Sequence, residues 1–294
     1  MELKTYLKTQ KTRIDRFLES YQHPLDVPER LKEAMQYSIS AGGKRLRPIL
    51  VLAAHDAVGG TSPAAVAVGA AIELIHTYSL IHDDLPAMDN DDFRRGKPTN
   101  HKVYGEAMAI LAGDGLLTQA FEILSDPVLM AEVPAGILTR ITAEVARGAG
   151  SGGMVGGQVL DMLSEGTEID GTSLQNMHMR KTGALIRASA LAGALLGGAD
   201  PRQVEALGHY GTRVGLAFQV ADDILDVTQT EEQLGKSTSD VARGKRTYPS
   251  IYGLETARIM AGGLVREALE SLESFGDEAE PLREIARYIV SRSH

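Results

Sequence analysis

The chain has 294 residues, enough for one large domain or two small ones, and its hydrophobic content of 43% can supply a core. Its net charge of −9 argues against a nucleic-acid partner, because such binding relies on Lys and Arg to neutralise phosphates. The absence of cysteine excludes disulfides, thiolate metal sites and thiol nucleophiles, and it suits a reducing cytoplasm.

Helical patterns dominate from the first residues onward. Apolar residues recur at helical spacing at the N-terminus: Leu3, Leu7, Ile14, Phe17 and Leu18. Alanine-rich runs at 64–85, 107–124 and 184–196 favour helix and lack the alternation of strands. Breaks containing Gly or Pro separate these patterns at intervals of about 20–35 residues, which is typical of long antiparallel helices. We therefore expect an all-α fold, with residues 1–294 forming a single domain.

The apolar stretches are too short for a membrane span. A span needs roughly 18 uncharged apolar residues, and the closest stretch, Ala64–Ile72, is ended by Glu73. The N-terminal segment lacks the apolar core of a signal peptide. We expect a soluble, cytoplasmic protein.

Two polar stretches interrupt the helical patterns, at residues 85–104 and 228–249. Each follows an apolar helix and begins just after a cluster of aspartates. They are predicted to be loops at helix ends, where functional sites tend to lie.

The aspartate clusters are the first candidate site. One contains Asp83, Asp84 and Asp89, and the other contains Asp222, Asp223 and Asp226. Asp222 and Asp226 lie four residues apart on one helix face, with Gln219 a turn earlier, so their charges repel unless a cation lies between them. Either cluster alone could be a solvated acidic face, but two clusters that each close an apolar helix favour a metal site. Carboxylates without cysteine or paired histidines indicate Mg²⁺ or Mn²⁺, completed by a phosphorylated substrate.

Several short basic segments form the second candidate site, and two of them follow an aspartate cluster closely. Gly42 and Gly43 expose backbone N–H groups beside Lys44, Arg45 and Arg47, a composition that suits a diphosphate. The other candidate basic residues lie in three further parts of the chain: Arg94, Arg95 and Lys97, then Lys181, then Lys236 and Lys245. The glycines at 152–157 lack the Lys-Ser/Thr of a Walker loop, and we expect them to let two helices approach closely or to leave room for a ligand.

Together these motifs resemble the short-chain trans-prenyltransferases, and among them the bacterial farnesyl diphosphate synthases. The segments GGKRLRP, HTYSLIHDDLPAMDNDDFRRGKPT, GGQVLD, RKTG, FQVADDILD and GKSTSDVARGKRTYP follow the family's order over residues 42–249. Within GGQVLD, Gln158 and Asp161 match the Gly-Gln-x-x-Asp segment of the family. The resemblance implies a bundle of about ten helices around a central cavity, usually as a homodimer, with small-molecule diphosphates as substrates.

The same resemblance assigns roles to individual residues. It implies that Asp83, Asp89, Asp222 and Asp226 bind about three Mg²⁺ ions, with Asp84 supporting, and Mn²⁺ as a possible substitute. The allylic diphosphate would contact Arg94, Lys181, Lys236 and Lys245. Isopentenyl diphosphate would contact Gly43, Lys44, Arg47, His76 and Arg95. Thr182 and Gln219 would present oxygens to the allylic cation.

The resemblance also implies that the length of the prenyl product is set by the two residues five and four positions before Asp83. These are Tyr78 and Ser79. A helical wheel places Ser79 roughly beneath Asp83 and Tyr78 well round the helix, so the wheel alone does not select Tyr78. The resemblance does, and an aromatic residue there indicates a C15 product. An ordinary core tyrosine is the alternative.

Four other functions compete with farnesyl diphosphate synthesis. Geranylgeranyl diphosphate synthases belong to the same family, and a silent partner subunit of a longer-chain synthase usually loses the aspartate motifs. A terpene cyclase shares the fold but usually replaces the second aspartate motif and needs no second diphosphate site. A di-iron protein needs two Glu-x-x-His pairs, whereas Glu73–His76 supplies one.

Overall fold

A computed structural model describes residues 2–21, 26–228 and 245–291 of the chain. These residues form fourteen α-helices and one two-stranded hairpin. The helices are α1 Leu3–Ser20, α2 Glu29–Ile39, α3 Leu46–Ala57, α4 Ala65–Asp83, α5 Asn100–Tyr104, α6 Glu106–Ser125, α7 Ala135–Ala149, α8 Met154–Ser164, α9 Gly171–His178, α10 Ala184–Leu196, α11 Pro201–Thr228, α12 Tyr248–Tyr252, α13 Leu254–Glu270 and α14 Glu280–Ser291. The all-α prediction is confirmed.

The apolar helices form the interior of the bundle. α4 and α10 are rich in alanine and leucine on all faces, and such helices are stable only when neighbours cover them from every side. α10 accordingly packs against α3, α7 and α11, while α4 packs against α3 and α6. α4 and α11 thereby bring their polar C-terminal ends, with Asp83 and Asp222, to one cavity.

The described residues form more helices than the expected ten, and glycines that divide a helical stretch account for two of the additional helices. Gly105 has φ 87° between α5 and α6, and Gly253 has φ 83° between α12 and α13. A backbone with positive φ cannot continue a right-handed helix, and glycine adopts it at little cost. Each stretch therefore splits into a five-residue helix and a longer one.

The first polar stretch, 85–104, was expected to be a loop, and this expectation is only partly right. Phe93–Arg94 pairs antiparallel with Lys97–Pro98, and α5 follows. Arg95 and Gly96 join the two strands with φ 54° and 74°, the left-handed pair that a tight hairpin turn requires. The hairpin turns Arg94 and Arg95 back towards the helices.

Two of the described helices, α4 and α6, are long and apolar enough to cross a membrane by length and composition alone, although each carries acidic residues. The most apolar window of α4 is 72% buried, as befits a core helix, whereas that of α6 is 39% buried. α6 therefore exposes an apolar face, with Ile110 43% and Leu111 52% accessible.

Candidate active site

A cavity of about 740 Å³ lies between the ends of α4 and α11. Most of the residues selected from the sequence are on its wall: Gly43, Lys44, Arg47, His76, Asp83, Asp89, Arg94, Arg95, Lys181, Thr182, Gln219, Asp222, Asp226 and Lys245. Asp84, Tyr78 and Ser79 are not on that wall, and Lys236 lies outside the described residues. The two aspartate clusters thus face a single space together with the basic residues.

Asp83 of the first aspartate cluster is a carboxylate whose charge its surroundings disfavour. Burial raises the pKa of Asp83 to about 6, and repulsion from Asp89 and Asp84 adds to this, although Lys181 and Arg94 act against it. A carboxylate with a raised pKa in such a cluster gains stability from an additional cation. The donor set therefore fits a divalent ion.

The carboxylates do not form a closed metal cage. Within the described part of the chain, no three His, Asp or Glu side chains are placed to hold an ion on their own. Mg²⁺ does not require such a group, since it typically takes one or two carboxylates and completes its shell with water and substrate phosphate.

Asp84 points away from the cavity. It is 3% exposed, and its carboxylate pairs with Arg94 at 2.6 Å. Although burial opposes the charge of Arg94, this pairing raises the pKa of its guanidinium. Asp84 therefore orients Arg94 at the cavity wall from behind.

Three basic residues, Arg47, His76 and Arg95, form a second part of the wall. Burial lowers the pKa of Arg47 to about 10, and burial together with Arg47 and Arg95 holds the pKa of His76 well below its usual value. Arg47 Nε and His76 Nδ1 are buried without a hydrogen-bond partner among the described residues. Arg95 donates to the carbonyl of Gly42, and a side chain at Gly43 would collide with its guanidinium. A buried guanidinium N–H without a partner, beside concentrated positive charge, indicates an anion site.

Arg45 behaves differently from its basic neighbours. Its guanidinium is 3% exposed and donates to Glu73 at 2.8 Å, Asp15 at 2.8 Å and the carbonyl of Ile39 at 2.6 Å. It thus ties α1, α2 and α4 together. The carboxylate of Glu73 is already paired with Arg45 in the interior. Glu73 and His76 therefore do not act as the metal-binding pair of a di-iron site.

Asp161 on α8 joins two lysines that the sequence had assigned to a diphosphate. Its Oδ2 lies 2.6 Å from Lys181 Nζ and 3.0 Å from Lys245 Nζ. Although burial acts against its charge, the two ammonium groups lower the pKa of Asp161. Asp161 therefore gathers both cations at one point of the wall.

Thr182 and Gln219 are hydrogen-bonded across the cavity wall. The Thr182 hydroxyl donates to Gln219 Oε1 at 2.9 Å, and Gln219 Nε2 donates to Asp223 Oδ1 at 3.0 Å. The sequence placed Asp223 in the second aspartate cluster without a role of its own, and it gave no role to His178, whose Nε2 lies 3.4 Å from Asp223 Oδ2. The pair Asp222-Asp223 could have drawn attention to Asp223 as a functional residue. His178 stands alone shortly before RKTG, and nothing in the sequence marks it as functional.

Tyr78 is buried in the hydrophobic core and is not on the cavity wall. It is 7% exposed, and its ring meets that of His82 edge-on at 5.7 Å. Ser79 is partly buried, and its hydroxyl donates to the carbonyl of His76 at 2.9 Å. Their suggested part in chain length stays a prediction.

Gly157 explains part of the glycine-rich segment. A Cβ at Gly157 would lie 2.1 Å from the backbone nitrogen of Lys181, so α8 approaches the Lys181 backbone as only glycine permits. We predict that Gly157→Ala lowers the free energy of unfolding by about 1–3 kcal/mol through overpacking, measured by urea denaturation. Gly152→Ala is the matched control, because a Cβ there meets nothing within 4 Å. Equal stability of the two variants would contradict the close approach.

Comparisons with known proteins agree with this geometry. The family model described as polyprenyl synthetase matches residues 28–285. Farnesyl diphosphate synthase of Geobacillus stearothermophilus is 44% identical, covering 100% of this chain and 99% of its own, and geranylgeranyl diphosphate synthase of Cyanophora paradoxa is 46% identical, covering 99% and 97%. Geranyltransferase of Helicobacter pylori, solved with magnesium and isoprenyl diphosphate, is 34% identical with a TM-score of 0.85, covering 99% of this chain and 97% of that one.

Proposed function

The chain belongs to the polyprenyl synthetase family, and from this premise we propose that it condenses isopentenyl diphosphate head to tail (1′–4) with dimethylallyl or geranyl diphosphate, giving farnesyl diphosphate. The observation that carries the proposal is the shared cavity. Carboxylates from α4 and α11 and a separate group of basic residues line the same space, as a reaction between two diphosphates requires. We propose that the chain works as one prenyltransferase domain, because this wall draws residues from Ala41 to Thr247.

The basic residues are proposed to hold the two diphosphates apart. Arg47, His76 and Arg95, with Lys44 and the Gly43 backbone, would bind isopentenyl diphosphate. Their support is the pair of buried nitrogen atoms, Arg47 Nε and His76 Nδ1, that lack a hydrogen-bond partner within the described residues. Arg94, Lys181 and Lys245, with Lys236, would bind the allylic diphosphate near the aspartates.

Magnesium is the proposed cofactor. Asp83, Asp89, Asp222 and Asp226 would hold it, and when bound it neutralises the charge that develops on the leaving diphosphate. Support comes from the raised pKa of Asp83 and from the magnesium bound by the Helicobacter pylori relative. The number of ions, about three by resemblance, and the use of Mn²⁺ belong to this proposal.

The remaining chemistry is assigned to the cavity wall. Lys181 and Lys245 would stabilise the diphosphate as its C–O bond breaks, while the oxygens of Thr182 and Gln219 face the allylic cation. Apolar side chains on the wall, Leu80, Phe218 and Leu225, would keep water from that cation. The isopentenyl double bond then attacks the cation, and the departing diphosphate takes the proton that is lost.

One incubation tests this function. Purified chain, Mg²⁺, geranyl diphosphate and isopentenyl diphosphate should give farnesyl diphosphate, sized by chromatography. A predominant C20 product would favour the second candidate, geranylgeranyl diphosphate synthesis, to which the Cyanophora relative points. No elongation at all would refute the family reaction for this chain.

The exposed face of α6 is proposed to bind a second copy of the chain. Its apolar residues would be covered in a homodimer, which fits a cytoplasmic enzyme better than a membrane-facing helix. Leu111→Glu should shift the mass measured by sedimentation from dimer to monomer. Ile259→Glu is the control, because Ile259 on α13 is 68% exposed and apolar but lies on another helix. An unchanged dimer for Leu111→Glu would contradict this surface.

A further inference from the structure

The side-chain amide of Gln219 has two unlike ends, and only one suits a carbocation. Its oxygen carries partial negative charge and attracts a cation, whereas its NH₂ group repels one. Gln219 lines the cavity, so the end that it presents decides its effect on the reaction.

The hydrogen bonds of Gln219 fix this orientation. Nε2 donates to Asp223 Oδ1 at 3.0 Å, and Oε1 accepts from the Thr182 hydroxyl at 2.9 Å. An ionised carboxylate accepts hydrogen bonds and donates none, so Asp223 can pair only with the NH₂ end of the amide. The oxygen is thereby left on the side of Thr182 and the cavity.

Asp223 is itself held from behind. It is 4% exposed, and its Oδ2 accepts the backbone N–H of Tyr248 at 3.0 Å. The ring of His178 stacks on that of Tyr248 with centroids 5.7 Å apart, which places His178 Nε2 3.4 Å from the same Oδ2. Both oxygens of Asp223 therefore contact protein groups, unlike those expected of a metal ligand.

The local backbone brings Thr182 within reach of Gln219. Thr182 lies in a π-helical turn, Met179–Gly183, between α9 and α10. A Cβ at Gly215 of α11 would lie 2.7 Å from Gly183 Cα, so this turn and α11 touch through two glycines. Such π-turns are frequent at functional sites.

We propose that Asp223 is a positioning residue that locks the amide of Gln219 with its oxygen towards the allylic cation. The aspartate motif alone would treat Asp222 and Asp223 as equivalent. Both line the cavity, but Asp223 is 4% exposed and its two oxygens accept hydrogen bonds from Gln219 and from the backbone of Tyr248. This inference rests on the proposed function, since it concerns the ionisation step in the same cavity.

Asp223→Asn tests the lock with an isosteric change. The Tyr248 N–H requires an acceptor, so it takes the oxygen of Asn and leaves the NH₂ of Asn facing Gln219. The Gln219 amide must then turn its oxygen towards residue 223 and its NH₂ towards the cavity. We expect kcat to fall about 100-fold, with the KM of both substrates within about twofold of wild type.

Magnesium dependence separates positioning from metal binding. The Mg²⁺ concentration giving half-maximal rate should stay unchanged in Asp223→Asn and rise in the comparison variant Asp222→Asn. A rise of the same size in both variants would make Asp223 a metal ligand and overturn the proposal. A kcat for Asp223→Asn within threefold of wild type would overturn it as well.

A second variant acts on the amide directly. Gln219→Met removes the dipole at similar size and leaves the contact of Asp223 with Tyr248 in place, so it tests the proposal even if Asp223→Asn does not fold. Gln219→Met should show the same fall in kcat, and the double variant with Asp223→Asn should have a kcat less than twofold lower still. Full activity of Gln219→Met would overturn the lock, and so would a double variant in which the two separate losses of kcat multiply. Lack of C15 formation by wild type would instead refute the proposed function.

Discussion

Replacing Asp83 with alanine should lower kcat at least about a thousandfold, roughly 4 kcal/mol of transition-state stabilisation, while isopentenyl diphosphate still binds. Asp83 is the last residue of α4 and lies on the cavity wall with Asp89. Its pKa of about 6 shows a carboxylate that burial and its acidic neighbours destabilise. Asp83 would hold a divalent ion, which would relieve that cost and would supply positive charge to neutralise the leaving group. Removing Asp83 therefore affects the chemical step most.

The measurement separates binding from turnover. Initial rates would be taken across a Mg²⁺ series, and isopentenyl diphosphate binding would be followed by calorimetry. Asp92→Ala is the matched control, because Asp92 belongs to the same acidic segment but is largely exposed and pairs with Lys102 at 2.7 Å. It should retain wild-type kcat within about twofold, as expected of a surface substitution. Near-normal turnover of Asp83→Ala at saturating Mg²⁺ would refute the metal role.

The helices were the most predictable part of the fold, because their apolar spacing and the Gly or Pro residues at their ends can be read from short stretches of sequence. The alanine-rich run at 184–196 became α10 with the same bounds, and the N-terminal pattern became α1. The hairpin at 93–98 was missed, since two-residue strands leave no periodic signal and depend on a turn with positive φ.

The membership of the cavity wall could also be anticipated, because the motifs state which residue types the chemistry needs. The pairings could not, because they depend on which way each side chain points once helices pack. Arg45 and Arg47 are two residues apart and both reach the cavity wall, yet Arg45 pairs with Glu73 and Asp15 while Arg47 Nε has no hydrogen-bond partner among the described residues. Asp83 lies on the cavity wall, whereas its neighbour Asp84 does not and pairs with Arg94. Neighbours on a helix end point in different directions, and tertiary packing decides which one is functional.

Tyr78→Ala should change the main product from C15 to C20 or longer. The α4 residues on the cavity wall include His76, Leu80 and Asp83, while Tyr78 of the same helix is buried against His82 and is not on that wall. We expect removal of the ring to leave an apolar void into which a growing apolar chain can extend, since filling such a void is favourable. The substitution should also lower stability by about 3–5 kcal/mol, so products would be sized at reduced temperature.

The control for this prediction is Tyr78→Phe, which keeps the ring and loses only the hydroxyl. If bulk sets the length, Tyr78→Phe stays at C15 and Tyr78→Ala does not. Because burial already raises the pKa of Tyr78, its hydroxyl is neutral at pH 7 and contributes no charge to the cavity. A C15 product from both variants would leave Tyr78 as an ordinary core residue. The limit on chain length would then lie in other side chains around the cavity, and the distinction between C15 and C20 synthesis would have to be sought there.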